Sequence, residues 1–151
     1  MYIKTVKIKS VLRAALTVLI IAAAVFAAIY ALNRLLSPRG ITLETEEQRL
    51  EFLHGLGWET SDSAINCREV VIPEEWSDVY ERYNRLQLAQ GFDLTKHRGK
   101  SAVIYSYTVL NYEGGRENMV ANLVVSDGKL IAADISCTEL GGFMTGIAGT
   151  A

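Results

Sequence analysis

The sequence predicts an α+β protein: an N-terminal transmembrane helix followed by a small two-layer domain. The expected order in that domain is α-β-α-β-β-β, with one mainly antiparallel four-stranded sheet and both helices on one face. Three observations carry this reading. Residues 14–32, AALTVLIIAAAVFAAIYAL, contain no charge and are flanked by Arg13 and Arg34. Two later segments repeat apolar residues at three- and four-residue steps, the helical period. Four others are rich in β-branched and aromatic residues and are bounded by polar residues, Pro or Gly.

As a helix the apolar run spans about 28 Å, close to the ~30 Å hydrocarbon core of a bilayer. Lys4, Lys7, Lys9 and Arg13 precede it, whereas only Arg34 and Arg39 follow closely. The positive-inside bias therefore assigns residues 1–13 to the cytoplasm and the domain to the outer side of the cell membrane. The alternative is a secretion signal cut before Ala28, since Val25, Phe26 and Ala27 form a small-x-small site. Ile29, Tyr30, Ala31 and Leu32 continue the apolar run past that site, which favours a retained, single-pass signal anchor whose first partner is the lipid bilayer.

Charge divides at the same place. The first acidic residue is Glu44, and residues 40–151 hold nine basic and all seventeen acidic side chains, a formal charge of −8. So acidic a domain has no footprint for phosphate backbones, and no nucleic-acid partner is expected. It is also repelled by anionic lipid surfaces, which suits a domain held off the membrane. Its roughly 110 residues suffice for one core without metal or multiple disulfides.

Residues 33–44, with Pro38 and Gly40, read as a linker. The domain is expected over 45–147. Thr45 and Gln48 form a capping box, Glu46 and Glu47 favour the positive helix end, and Leu50, Leu53 and Phe52 give an apolar face. Gly55 is the expected left-handed stop, with Leu56 folding back. AINCREVVI (64–72) reads as a strand ending at Pro73, which is expected to open the second helix. Trp76, Val79, Tyr80, Tyr83 and Leu86 form its stripe, Gly91 stops it, and Phe92 and Leu94 plug the core beyond. Strands follow at 102–112, 119–126 and 130–137, the last two joined by Asp127-Gly128, a type I′ hairpin signal. A helix crossing the sheet would set the first strand parallel to the second and fourth. The glycine-containing tail is expected to end the sheet through Phe143, Met144 and Ile147, and residues 148–151 to fray.

Chemistry-bearing groups are few. HRGKS (97–101) ends like a phosphate loop, but Leu94 stands where the pattern needs glycine, and a strand rather than a helix is expected after it. His54, Cys67, His97 and Cys137 contain no close pair of the kind structural zinc sites use, so no metal is expected, nor any cofactor. An outward-facing domain permits a Cys67–Cys137 disulfide, worth on the order of 4 kcal/mol for so long a loop. Parallel neighbouring strands would separate the two and antiparallel ones could bring them together; the parallel expectation favours two buried free thiols. Asp134 is the one carboxylate in an apolar strand, and alternation is expected to turn it to solvent. The alternative points it into a polar groove as an acid/base or ligand group. Tyr105, Tyr107 and Tyr112, with Tyr80 and Tyr83, either line a groove for sugar or peptide or form an aromatic core edge.

The segments GWE (57–59), IPEEWSDVYERYNRLQLAQGFDLTKHRGK (72–100), YTVLNYEG (107–114), ANLVVSDGKLIAADI (121–135) and GFMTG (142–146) together resemble a family of small membrane-anchored proteins of clostridia-type Gram-positive bacteria, the domain-of-unknown-function family numbered 4830. The resemblance covers most of residues 46–147. Ala132-Ala133 stands where that family leads one to expect glycines, which questions any role for close backbone approach there. The resemblance implies one N-terminal span plus one outer domain, and no activity.

The expected function is thus a non-catalytic binding module at the cell envelope, with an envelope protein or cell-wall ligand as partner. The alternative is an envelope hydrolase using Asp134 and the tyrosine-lined face. A sensor acting through the membrane helix is a third reading, weakened by an N-terminal segment too short for a folded output domain.

Overall fold

The structure, a computed structural model, describes residues 40–113 and 116–148, together with Val18, Leu19, Ile21 and Ala23, which are helical and exposed. The rest of the expected membrane helix, residues 33–39 of the expected linker and residues 149–151 lie outside the described residues. Among the described residues, no helix is long and apolar enough to cross a membrane.

The first described residues of the domain are held on the Asp127-Gly128 hairpin. Leu43 is buried, its N–H donates to the Gly128 carbonyl at 2.8 Å, and the Leu130 N–H donates to the Ile41 carbonyl at 2.8 Å. Residues 41–43, placed in the linker on sequence, thus pair with the sheet.

Helix α1 spans Glu46–Gly55 and begins with the expected capping box, in which the Gln48 N–H donates to Thr45 Oγ1 and the Thr45 N–H to Gln48 Oε1. Its stop falls later than expected. Gly57, with φ +88°, is the left-handed residue, and the Trp58 N–H closes back on the Leu53 carbonyl at 3.1 Å. Trp58, not Leu56, therefore packs against the core, and Leu56 is exposed.

Strand β1 spans Asn66–Val71 and is followed by helix α2, Asp78–Ala89. Pro73 does not open α2. Its carbonyl accepts from Trp76 Nε1 at 2.9 Å, and Ser77 is the extended N-cap, so residues 73–76 form a separate turn that seats Trp76 on the core. A 3₁₀ turn at Leu94–His97 leads into β2 (Ser101–Thr108), then β3 (Met119–Ser126), β4 (Lys129–Cys137) and β5 (Met144–Gly146). Asp127 and Gly128 have φ of 50° and 72°, the type I′ geometry expected of their hairpin.

The result is an α+β domain of two helices and a five-stranded antiparallel sheet in the order β1-β2-β3-β4-β5. Three expectations are corrected. The tail supplies a short fifth strand, and β1 is antiparallel to β2, because α2 returns the chain to the neighbouring position instead of crossing over to a parallel one. The helices also lie on opposite faces, which makes three layers. Leu53 of α1 joins Tyr107, Ala121, Leu123, Ala133 and Ile135 in one core; Tyr83 of α2 packs on Ala102, Ile104, Val124 and Ala132 in the other. Phe92 and Leu94 fill the first and second core respectively.

A bulge sets the phase of β4. Leu130 pairs with Val125 and Ala132 with Val124, leaving Ile131 unpaired. Leu130 therefore faces the α1 core, whereas Ala132, Asp134 and Ser136 face α2.

Candidate functional site

Between α2 and the sheet runs a groove of about 990 Å³. Its floor begins with sequence alternation. Ser106, Asn122 and Asp134 stand opposite one another on β2, β3 and β4, each a polar residue inside an otherwise apolar stretch. Antiparallel register puts directly opposed side chains on one face, so the three form a row. The row is bonded throughout. Ser106 Oγ donates to Asn122 Oδ1 at 2.7 Å, and Asn122 Nδ2 donates to Asp134 Oδ1 and to Ser136 Oγ, each at 2.8 Å. From α2, the Tyr83 hydroxyl donates to Asp134 Oδ2 at 3.0 Å. Asn66 of β1, paired with Ser106, continues the row to the sheet edge.

Apolar walls flank it: Val70 from β1 and Ile72 just after it, Ile104 and Val124 from the floor, Val79 and Leu86 from α2, and Met144 from β5. Arg68 on β1 and Arg82 on α2 line the mouth and are exposed.

Asp134 is only 2 % exposed, which corrects the expectation that alternation turns it to solvent. With a helix on each face, β4 has no solvent side to offer. Burial pushes the Asp134 carboxyl above its ordinary value, partly offset by the hydrogen bonds from Asn122 and Tyr83 and by the nearby Ser136 hydroxyl. Burial likewise pushes the Tyr83 hydroxyl far up, helped by the neighbouring Asp134 charge. The pair therefore favours one proton arrangement, with Tyr83 as donor.

The other sequence candidates lie elsewhere. Tyr105 and Tyr107 alternate with Ser106 and so face α1. Buried Arg49 donates from Nε to the Tyr107 hydroxyl at 2.9 Å, and its guanidinium lies 3.8 Å from the Tyr105 ring centroid. Tyr112 stacks on Trp58 and touches Phe143. Of the tyrosines considered, Tyr80 and Tyr83 share the groove with Asp134, whereas Tyr105, Tyr107 and Tyr112 do not line it.

Cys67 and Cys137 are free thiols on β1 and β4. Three strand spacings, about 14 Å, separate those strands, far beyond a disulfide's reach. The permitted bond is not formed, and Cys67 is exposed rather than buried. His54 is exposed; His97 is partly buried and held below its usual pKa first by that burial. Among the described residues, no three His, Cys, Asp or Glu side chains gather as metal ligands. Gly99 has φ +71° and is followed by β2, so the GKS run precedes a strand.

Ser106, Asn122, Ser136, Arg68 and Arg82 were not singled out from sequence. For the first three a signal was present: YSY and ANL each place one polar residue between apolar or aromatic strand neighbours, and DIS places two around an isoleucine.

A family model described as Domain of unknown function (DUF4830) matches residues 52–135, more than half of the chain, and the chain belongs to that family. The match runs from α1 through Asp134 and so includes most of the groove. No curated protein and no solved structure matches the chain.

The raised Asp134 pKa has a consequence for stability. Above the ordinary carboxyl value of 3.8 and below its own raised value, the folded protein binds more protons here than the unfolded chain does. This contribution is therefore fully present below pH 3.8 and is lost as pH rises through that window. Urea unfolding of wild type and Asp134→Asn between pH 4 and pH 7 is expected to show a flatter profile in the variant. Parallel profiles would contradict the assignment.

Proposed function

We propose that this chain is a single-pass, membrane-tethered binding module whose ligand site is the α2 groove, displayed outside the cell membrane. The groove carries the reading. It is concave, mostly apolar, and has a few convergent polar groups, the usual build of a ligand site. Its one carboxylate already accepts from Asn122 and Tyr83, one donor on each oxygen, which suits a fixed binding floor better than a group that must exchange protons. Residues 14–32, with the basic bias before them, motivate the tether and its direction. The partner expected of such a module is an envelope protein or a cell-wall ligand.

A hydrolase using Asp134 is the second reading, favoured by one observation: a carboxyl raised by burial on the floor of a groove is suited to general-acid chemistry. It would have to work with Tyr80 and Tyr83, since the other tyrosines lie outside the groove.

Two tests follow. A ¹⁹F-NMR fragment screen of the full chain in nanodiscs should give hits that Val79→Trp weakens roughly tenfold or more. Val79 is 64 % exposed, so that variant should keep its stability to about 0.5 kcal/mol. Hits indifferent to Val79→Trp would place binding elsewhere. For the tether, protease added to whole cells should remove the domain; protection until lysis would reverse the orientation, and free material beginning at Ala28 would abolish the anchor.

A further inference from the structure

We infer that the groove takes the carboxylate end of a short, extended, apolar peptide, lying across the strands with its carboxylate at Arg68 and Arg82. The inference rests on the groove being a binding site and names what it binds.

Charge gives the first argument. Although residues 40–151 carry a formal −8, the charged side chains lining this groove are Arg68, Arg82 and Asp134. Asp134 lies buried on the floor, with a donor on each oxygen. The two guanidiniums, one from β1 and one from α2, have no ion-pair partner among the described residues. Two exposed guanidiniums at the mouth of a slot whose single carboxylate is buried and already hydrogen-bonded are complementary to an anion, and the planar fork of arginine matches a carboxylate bidentately.

The floor gives the second. Asn66, Ser106, Asn122 and Asp134 cross four strands in register, and Asn66 and Asn122 keep part of their surface open. An acyl chain laid over this row would strip water from its Asn66 and Asn122 amides and return no hydrogen bond, an unfavourable exchange. A peptide brings a donor or acceptor at every residue, while its side chains meet Val70, Ile104 and Val124. Length gives the third argument. Three strand spacings cover about 14 Å, the reach of about four extended residues. The floor lies beneath α2, so one slender chain fits where a folded surface does not.

The test uses the full chain in nanodiscs, with methyl NMR of Val70, Ile104 and Val124 as readout. The probes are N-acetyl tetrapeptide acids randomised over Ala, Val, Leu and Met, the same peptides as C-terminal amides, and octanoate. The acids should shift these methyls and bind roughly tenfold or more tightly than the amides. Arg68→Gln combined with Arg82→Gln should bring the acids to the amides' level. Both positions are exposed, so the fold should survive the change. Equal binding of acids and amides would overturn the inference, as would tighter binding of octanoate at the same methyls. So would silence from every peptide while the fragment hits persist, an outcome that leaves the groove a binding site and removes only its proposed ligand.

Discussion

The domain depends on how α2 is bonded to strand β4. β5 pairs only with Asp134, Ile135 and Ser136, so the next edge residue, Ala133, has no strand partner on that side. Gln87 of α2 supplies both missing groups: its Oε1 accepts from the Ala133 N–H at 3.0 Å, and its Nε2 donates to the Ala133 carbonyl at 3.1 Å. Gln90 adds a donor to the same carbonyl and accepts from the Ile147 N–H. A helix thereby continues the hydrogen-bonding of a short strand, and the edge is satisfied rather than left as a template for aggregation. Tyr83, one turn earlier, reaches Asp134. Helix α2 is thus fixed along the β4–β5 side, and the space between it and β1 remains as the groove.

Two buried charges, one on each face, are handled alike. Arg49 under α1 and Asp134 under α2 are both nearly excluded from water, and neither has an opposite charge as partner among the described residues. Arg49 is met by the Leu43 and Glu44 carbonyls, the Tyr107 hydroxyl and the Tyr105 ring; Asp134 by an amide and a hydroxyl. Oriented dipoles replace water in both places. The consequences differ. Arg49 ties the entering chain to α1 and the sheet and is structural, whereas Asp134 anchors a polar row that opens onto a cavity.

Much of this was legible in residue order. The Thr45–Gln48 box, the Asp127-Gly128 hairpin and the three long strands follow from local rules that tertiary packing did not override. What was hidden was non-local. An unpaired Ile131 changes the phase of β4, and without it Leu130 and Asp134 would share a face. Whether two amphipathic helices cover one face of a sheet or both depends on how the chain turns between elements, which periodicity does not encode. The three-residue β5 is too short to show a period of two. For the site, Asp134 was visible as an oddity, but its partners were not: Ser106 and Asn122 became neighbours only through pairing register, and Tyr83 through the docking of α2.

The most direct measurement is hydrogen exchange at the Ala133 amide in the full chain, because that N–H is bonded to Gln87 and to no strand. Protection comparable to amides of the β3–β4 ladder, lost in Gln87→Leu while the ladder stays protected, is the result expected if α2 is locked to β4. Rapid exchange at Ala133 in the wild-type protein would mean that α2 swings free and that the groove has no fixed wall.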